Sequence, residues 1–251
     1  MTNPYLRHPF HTASALATLQ ERAGPRVFVG IAAGGSEVTG AAGVPRLDAP
    51  GRVADLIGLL SRVSAGAPLD PRSGRHLDLD LAPVPVLVAG RGRAMLRTAG
   101  AHADRALLWS IPDSDLQRSA QLIREGAAGR SVDVAWAPLV AHDESTRASI
   151  LNAAVYASIN TAAAVRETWG LGAERVEAIR TALVGGGTEA AIGLVPDAAL
   201  ADLVVDDPAL DVVAERGRAI GATSMVVPCY DPGTVGAHIE WARSVEQRLI
   251  N

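Results

Sequence analysis

With 251 residues, 48% hydrophobic and only 4% aromatic side chains, the chain is sized for one large α/β domain or two small ones, and is too apolar to be disordered. A net charge of −4, with no basic stripe carrying interleaved aromatics, argues against a nucleic-acid partner. No apolar run is long enough to span a membrane, the N-terminus lacks a signal core, and a single cysteine, Cys229, fits a reducing cytoplasm.

All 23 basic residues are arginine. Without lysine there is no Schiff-base amine, no PLP anchor and no Walker-type phosphate lysine. The six histidines are scattered, His8 and His11 excepted, and no ligand spacing suggests a metal site.

In chain order, residues 1–3 read as the tail of a strand. Pro9 suits the first turn of a helix that Ala13, Leu16 and Ala17 carry toward Gly24. Residues 26–32 (RVFVGIA) form a buried strand followed by a glycine-rich loop with Gly34, Gly35 and Glu37. Val53, Leu56, Ile57, Leu60 and Val63 recur at helical spacing, and residues 66–82 are a polar, proline-bearing loop.

The stretch PVPVLVAGRGRAMLRTAGAHADRALLWSIP, residues 83–112, is the most informative. An apolar run from Val84 to Val88 is too short for a helix and is bounded by prolines and Gly90, the pattern of a strand buried on both faces. Gly90-Arg91-Gly92 breaks it, a helix follows as far as Asp104, and 105–110 is the next strand; this is a βαβ unit. Two glycines, two arginines and the unpaired amides of a helix start make the turn a natural phosphate site. A short βα turn with solvated arginines explains the same residues equally well. Met95 stands where a Rossmann fingerprint needs its third glycine.

Further on, a helix covers about 114–125, a strand 132–140 and a strand 223–228. Between the last two lies a mostly helical stretch of about 143–206, broken near Gly170 and Gly172. Asp207-Pro208 and Asp231-Pro232 are helix starts. The inner face of the first of these helices is Leu210, Val213, Ala214 and Gly217. The last helix has the stripe Val235, Ile239, Ala242, Val245 and Leu249. Alternating strands and helices predict a parallel α/β fold in a single domain, and six strands at most are legible, two short of an eight-stranded barrel.

The blocks TNPYLRHP, RVFVGIAAGGSE and PVPVLVAGRGRAMLRTAGAHADRALL resemble three consecutive blocks of the bacterial luciferase-like monooxygenase superfamily. Its deazaflavin-dependent branch, typified by methylenetetrahydromethanopterin reductase, is the nearest in character. The resemblance implies a TIM-type (β/α)8 barrel represented by strands three to eight, with its N-terminal strands missing. It further implies an FMN- or coenzyme F-420-dependent oxidoreductase acting on a small-molecule substrate: monooxygenation with the flavin, hydride transfer with the deazaflavin. By that resemblance Thr2 and Asn3 lie near the ring, while Gly34, Gly35, Glu37, Gly90, Arg91 and Gly92 hold the phosphate and ribityl end. Arg7, His8 and Trp109 are weaker pocket candidates; Arg7 and His8 serve equally well as a helix entry, and Trp109 as packing. Two departures stand out: Arg105 replaces the family's usual glycine, and no position matches a catalytic residue. A non-catalytic remnant is the alternative, its exposed strand edges covered by a second copy or a complementing chain. A sugar-phosphate lyase or isomerase on the same barrel would also keep the phosphate site.

Overall fold

The computed structural model describes residues 1–35, 39–40, 42–141, 144–206, 209–227 and 235–250. Glu37, Cys229 and the expected helix starts at Asp207-Pro208 and Asp231-Pro232 lie outside the described residues. The chain forms two compact units, one of Met1–Leu107 with Leu122–Asp133, the other of Leu108–Gln121 with Val134–Asn251.

The first unit is a parallel sheet with helices. Thr2 bridges in parallel to Ile31, donating to the Gly30 carbonyl at 2.7 Å and accepting from Ala32 N at 3.0 Å. β1 (Val29–Ala32) pairs in parallel with β2 (Val86–Ala89), which pairs with β3 (Arg105–Trp109), whose last two residues pass into the second unit. Val86, Leu87 and Val88 are all buried, as a strand covered on both faces requires. α1 (Pro9–Ala23), α2 (Ala49–Ser64) and α3 (Arg93–His102) follow the Thr2 stub, β1 and β2 in turn. All five stripe residues of α2 are buried. Its N-cap is Asp48, whose carboxylate accepts from Gly51 N at 3.1 Å.

Asp104 ends α3 and holds the start of β2: its carboxylate accepts from Val86 N at 2.8 Å while its own N–H donates to the Val86 carbonyl. Arg105 is exposed and reaches Asp133 at 3.3 Å, so a charged side chain is accommodated at this position. α3 crosses the C-terminal part of α4 (Asp113–Ala127) at backbone contact. A Cβ at Gly100 would lie 2.0 Å from the Ile123 carbonyl oxygen, and one at Gly126 would lie 2.1 Å from that of Arg97. Arg97 and Glu125 pair at 2.8 Å beside this crossing.

The second unit contains β4 (Asp133–Ala137), except for its first residue, paired in parallel with β7 (Ala222–Met225). α9 (Leu210–Ile220) and α10 (Val235–Ile250) flank β7 in sequence and pack together. The expected strand 132–140 is in fact two. Pro138 cannot donate to a ladder, so the run breaks there, and β5 (Leu139–Ala141) pairs instead with β6 (Val204–Asp206), a strand the sequence did not announce. Between β5 and β6 lie α5 (Glu144–Asn160), α6 (Ala163–Thr168), α7 (Ala173–Ile192) and α8 (Asp197–Leu203). They bury a core of their own around Ala154, Val155, Ile179 and Ala199.

One carboxylate ties these helices to the start of α4. Asp202 of α8 accepts from Ser114 N at 2.8 Å, from Ser114 Oγ at 2.6 Å and from the Trp169 indole at 2.8 Å. It therefore caps α4 from another helix. On the inner face expected for α9, Val213, Ala214 and Gly217 are buried and Leu210 is half-buried. The stripe of α10 is buried only in part. Val245 and Leu249 are buried, but Val235 and Ile239 are 43% and 47% exposed, and His238 is turned inward instead.

The α3–α4 crossing leaves no room for a methyl group. Gly100→Ala is expected to lower unfolding stability by about 1–3 kcal/mol or more through overpacking against backbone that cannot move aside. The shift in urea midpoint at constant slope measures it.

Candidate active site

Parallel register builds the candidate site. Thr2 stands opposite Ile31, and Ala32 opposite Ala89. Asn3, the loop after β1 and the turn after β2 therefore leave the C-terminal ends of three neighbouring strands, where parallel α/β folds bind their ligands. At about 4.8 Å per strand, the row from Asn3 to Gly90 is about 10 Å wide.

Asn3 is the joint of this row. Its Nδ2 donates to the Ala33 carbonyl at 3.1 Å, and its Oδ1 accepts from Tyr5 N at 2.7 Å and Leu6 N at 3.2 Å. The Tyr5 hydroxyl in turn donates to the Leu47 carbonyl at 2.7 Å. Gly34 has a φ of +80°, and a Cβ there would fall 2.3 Å from Asn3 Nδ2, so any other residue would break the joint. Gly35 is exposed, and its carbonyl accepts from Thr39 N and Oγ1 at 3.2 and 3.3 Å.

The two glycines of the second turn do different work. A Cβ at Gly90 would meet Met95 Cβ at 2.8 Å, so Gly90 lets β2 pack closely on α3. Gly92 is the N-cap of α3, in extended backbone, exposed, with nothing within 4 Å of where a Cβ would stand. The first intrahelical bond runs from Leu96 N to the Gly92 carbonyl, so the amides of Arg93, Ala94 and Met95 precede the ladder and lie at the positive end of the helix. Between the glycines, Arg91 is half-buried; burial lowers its guanidinium to about 10, which leaves it charged at neutral pH. A cation partly stripped of water, beside open helix amides, is a donor set for an anion.

The remaining candidates are placed differently. His8 is the N-cap of α1: its Nδ1 accepts from Phe10 N at 3.3 Å and its ring meets the Phe10 ring edge-on, 4.6 Å between centroids. Arg7 is exposed, and its N–H closes a turn onto the Asn3 carbonyl at 3.3 Å. Both stand at a helix entry. Trp109 is half-buried at the end of β3, in the second unit. Next to it, Ser110 is 2% exposed with a φ of +47°, and its N–H donates to the Ala137 carbonyl at 2.9 Å. A buried serine held in left-handed backbone at a strand's C-terminal end is stored strain of the kind found at functional sites. No residue type or spacing around Ser110 signals that backbone; it is visible only in the fold. Among the described residues no three His, Cys, Asp or Glu side chains cluster as for a metal.

If Asn3 is the joint, Asn3→Ala leaves two turn amides and the Ala33 carbonyl without their partner. A loss of about 1–3 kcal/mol in denaturant unfolding is expected.

Comparisons with known proteins bear on the fold and the family. The chain is 28% identical over 262 aligned residues to the 5,10-methylenetetrahydromethanopterin reductase of Methanopyrus kandleri, covering 90% of this chain and 74% of that protein. Its fold matches the structure of the coenzyme F-420-dependent tetrahydromethanopterin reductase of the same organism with a TM-score of 0.72 at 23% identity, covering 100% of this chain and 81% of that one. It also matches a riboflavin lyase solved with modified FMN and riboflavin, with a TM-score of 0.64 at 16% identity, covering 98% and 69%. These likenesses place the fold in the luciferase-like, TIM-type α/β class. Residues 1–226 match the luciferase-like monooxygenase family along its sequence, and the chain belongs to that family.

Proposed function

We propose that this chain is a flavin- or deazaflavin-dependent oxidoreductase, using FMN or coenzyme F-420 on a small organic substrate, with the cofactor along the row from Asn3 to Gly92. The observation that carries the reading is the open turn at Gly92, flanked by the half-buried Arg91 charge and the first amides of α3. A phosphate group fits there. FMN and coenzyme F-420 both carry one, and structures of similar fold named for the second and one holding a form of the first support both.

When bound, such a cofactor supplies hydride transfer or, as the flavin, oxygen activation. The chain's own residues bind and orient it. Arg91 supplies a positive charge, the amides of Arg93, Ala94 and Met95 supply donors, and Gly92 leaves the space. Gly34 and Gly35 let the backbone of the β1 loop come close to the ligand, and Asn3 holds that loop in position relative to the Thr2 stub. Thr2 and Asn3 then border the ring end of the row. The substrate enters from the same C-terminal side.

The test is a fluorescence titration with FMN and with coenzyme F-420. Gly92→Glu puts bulk and negative charge into open space without displacing an atom of the fold. It should weaken binding at least tenfold while leaving the unfolding midpoint unchanged. Arg91→Gln should cost about tenfold, the worth of one charge-assisted hydrogen bond. Gly90 is unsuited to the purpose, because its substitution strains the packing against Met95. Saturable binding of one cofactor, lost in Gly92→Glu, selects the branch. No binding of either by the folded chain would overturn the enzyme reading in favour of a non-catalytic member.

A further inference from the structure

Tyr5 gathers two arginines beside the turn that carries Asn3. Its hydroxyl donates to the Leu47 carbonyl at 2.7 Å, which fixes the exit of the β1 loop there, while its N–H holds Asn3 Oδ1. Burial pushes the Tyr5 phenol up; the charges of Arg46 and Arg52 oppose that push, and Asp48 adds to it. Both guanidinium groups therefore act at one hydroxyl. Leu47, which lies between them in the chain, is 70% exposed.

These cations are placed against their own electrostatics. Arg52 closes the first turn of α2, its N–H on the Asp48 carbonyl at 3.0 Å, and that turn holds no acidic residue. A positive charge there meets the positive end of the helix. Asp48 turns its carboxylate to the cap on Gly51 N. Elsewhere Arg97, Arg105 and Arg248 each meet a carboxylate. Among the described residues the exposed Arg46 and Arg52 form no ion pair. α2 packs against both α1 and α3, and neither helix supplies Arg52 with a counter-ion. Two unpaired like charges beside one hydroxyl raise the energy of the fold, and an anion bound between them would remove that cost.

We propose that Arg46 and Arg52 dock the carboxylate of an organic-acid substrate, with Leu47 against its apolar body, beside the ring end of the row. The substrate role rests on the oxidoreductase reading; the anion site rests on these residues alone. A guanidinium recognises a carboxylate by paired N–H donors as well as by charge, so a neutral amide of the same shape is a poor guest.

Benzoate and its neutral isostere benzamide are the probes, followed by the arginine Nε–H signals of the folded chain, with and without FMN or coenzyme F-420. Benzoate should shift Arg46 and Arg52 saturably and leave the exposed Arg22 of α1 in place. Benzamide should shift none of them. Arg46→Gln and Arg52→Gln should each weaken benzoate about threefold, the scale of an exposed ion pair, and the double variant about tenfold. The unfolding midpoint of Arg52→Gln should stay at or above the parent's, because a cation at the helix start is gone. The proposal is overturned if benzoate gives no saturable shift, if benzamide or Arg22 responds as strongly, or if the double variant keeps the parent's affinity. Where a cofactor binds, saturating benzoate should change its emission, and an unchanged emission overturns the substrate role. Benzoate binding by a chain that takes up neither cofactor overturns the oxidoreductase reading, and with it the substrate role, while the anion site stands.

Discussion

The parallel register of Thr2 with Ile31 and Ala32 with Ala89 is the constraint on which the candidate site depends. Side chains of neighbouring parallel strands point the same way and the strands end together, so three short turns far apart in sequence become one row. A slip of one residue at either pairing would turn β1 or β2 inside out and carry Asn3 away from Ala33. The register is protected at both ends of the strands. At the C-terminal end Asn3 bonds the Ala33 carbonyl; at the opposite end the Asp104 carboxylate holds Val86 N.

Close backbone approach is the second theme. Gly34 makes way for Asn3, Gly90 for Met95, and Gly100 and Gly126 for each other's helix backbones. A composition poor in aromatics suits this style of packing: small residues bring main chains together, and alanine, valine and leucine fill what remains. Gly92 differs from these four: it lies in extended backbone next to open space. No packing partner calls for it. The cofactor proposed for this turn would come near the backbone there, so the surroundings separate Gly90, which serves packing, from Gly92, which the proposal uses.

Elsewhere the fold relies on single carboxylates that reach across elements. Asp202 caps α4 and binds the Trp169 indole, and Glu246 of α10 accepts from Met225 N of β7. Neither position carries a motif. Asp202 lies in the helical sequence DAALADL and Glu246 in SVEQRL, where an acidic residue reads as a solvated helix face. Their partners are 88 and 33 residues away for Asp202 and 21 for Glu246, and no local pattern encodes contacts at such range.

What the sequence by itself determined was the place of β1, β2 and β3 along the chain, the buried face of α2 and the glycine turn after β2, because apolar periodicity and glycine placement act within a few residues. The luciferase-like resemblance was legible for the same reason: its blocks are contiguous strand-and-turn segments. What only the tertiary structure decided was which groups meet. It set the pairing of β5 with β6, where Pro138 interrupts one strand and a three-residue partner is too short to show a period. It turned His238 inward at the cost of exposing Val235 and Ile239, made His8 a helix cap, and placed Ser110 in left-handed backbone. Apart from the His8 cap, which Phe10 N two residues on completes, these are settled by groups distant in the chain, and the free energy of such contacts depends on three-dimensional placement that a linear pattern does not carry.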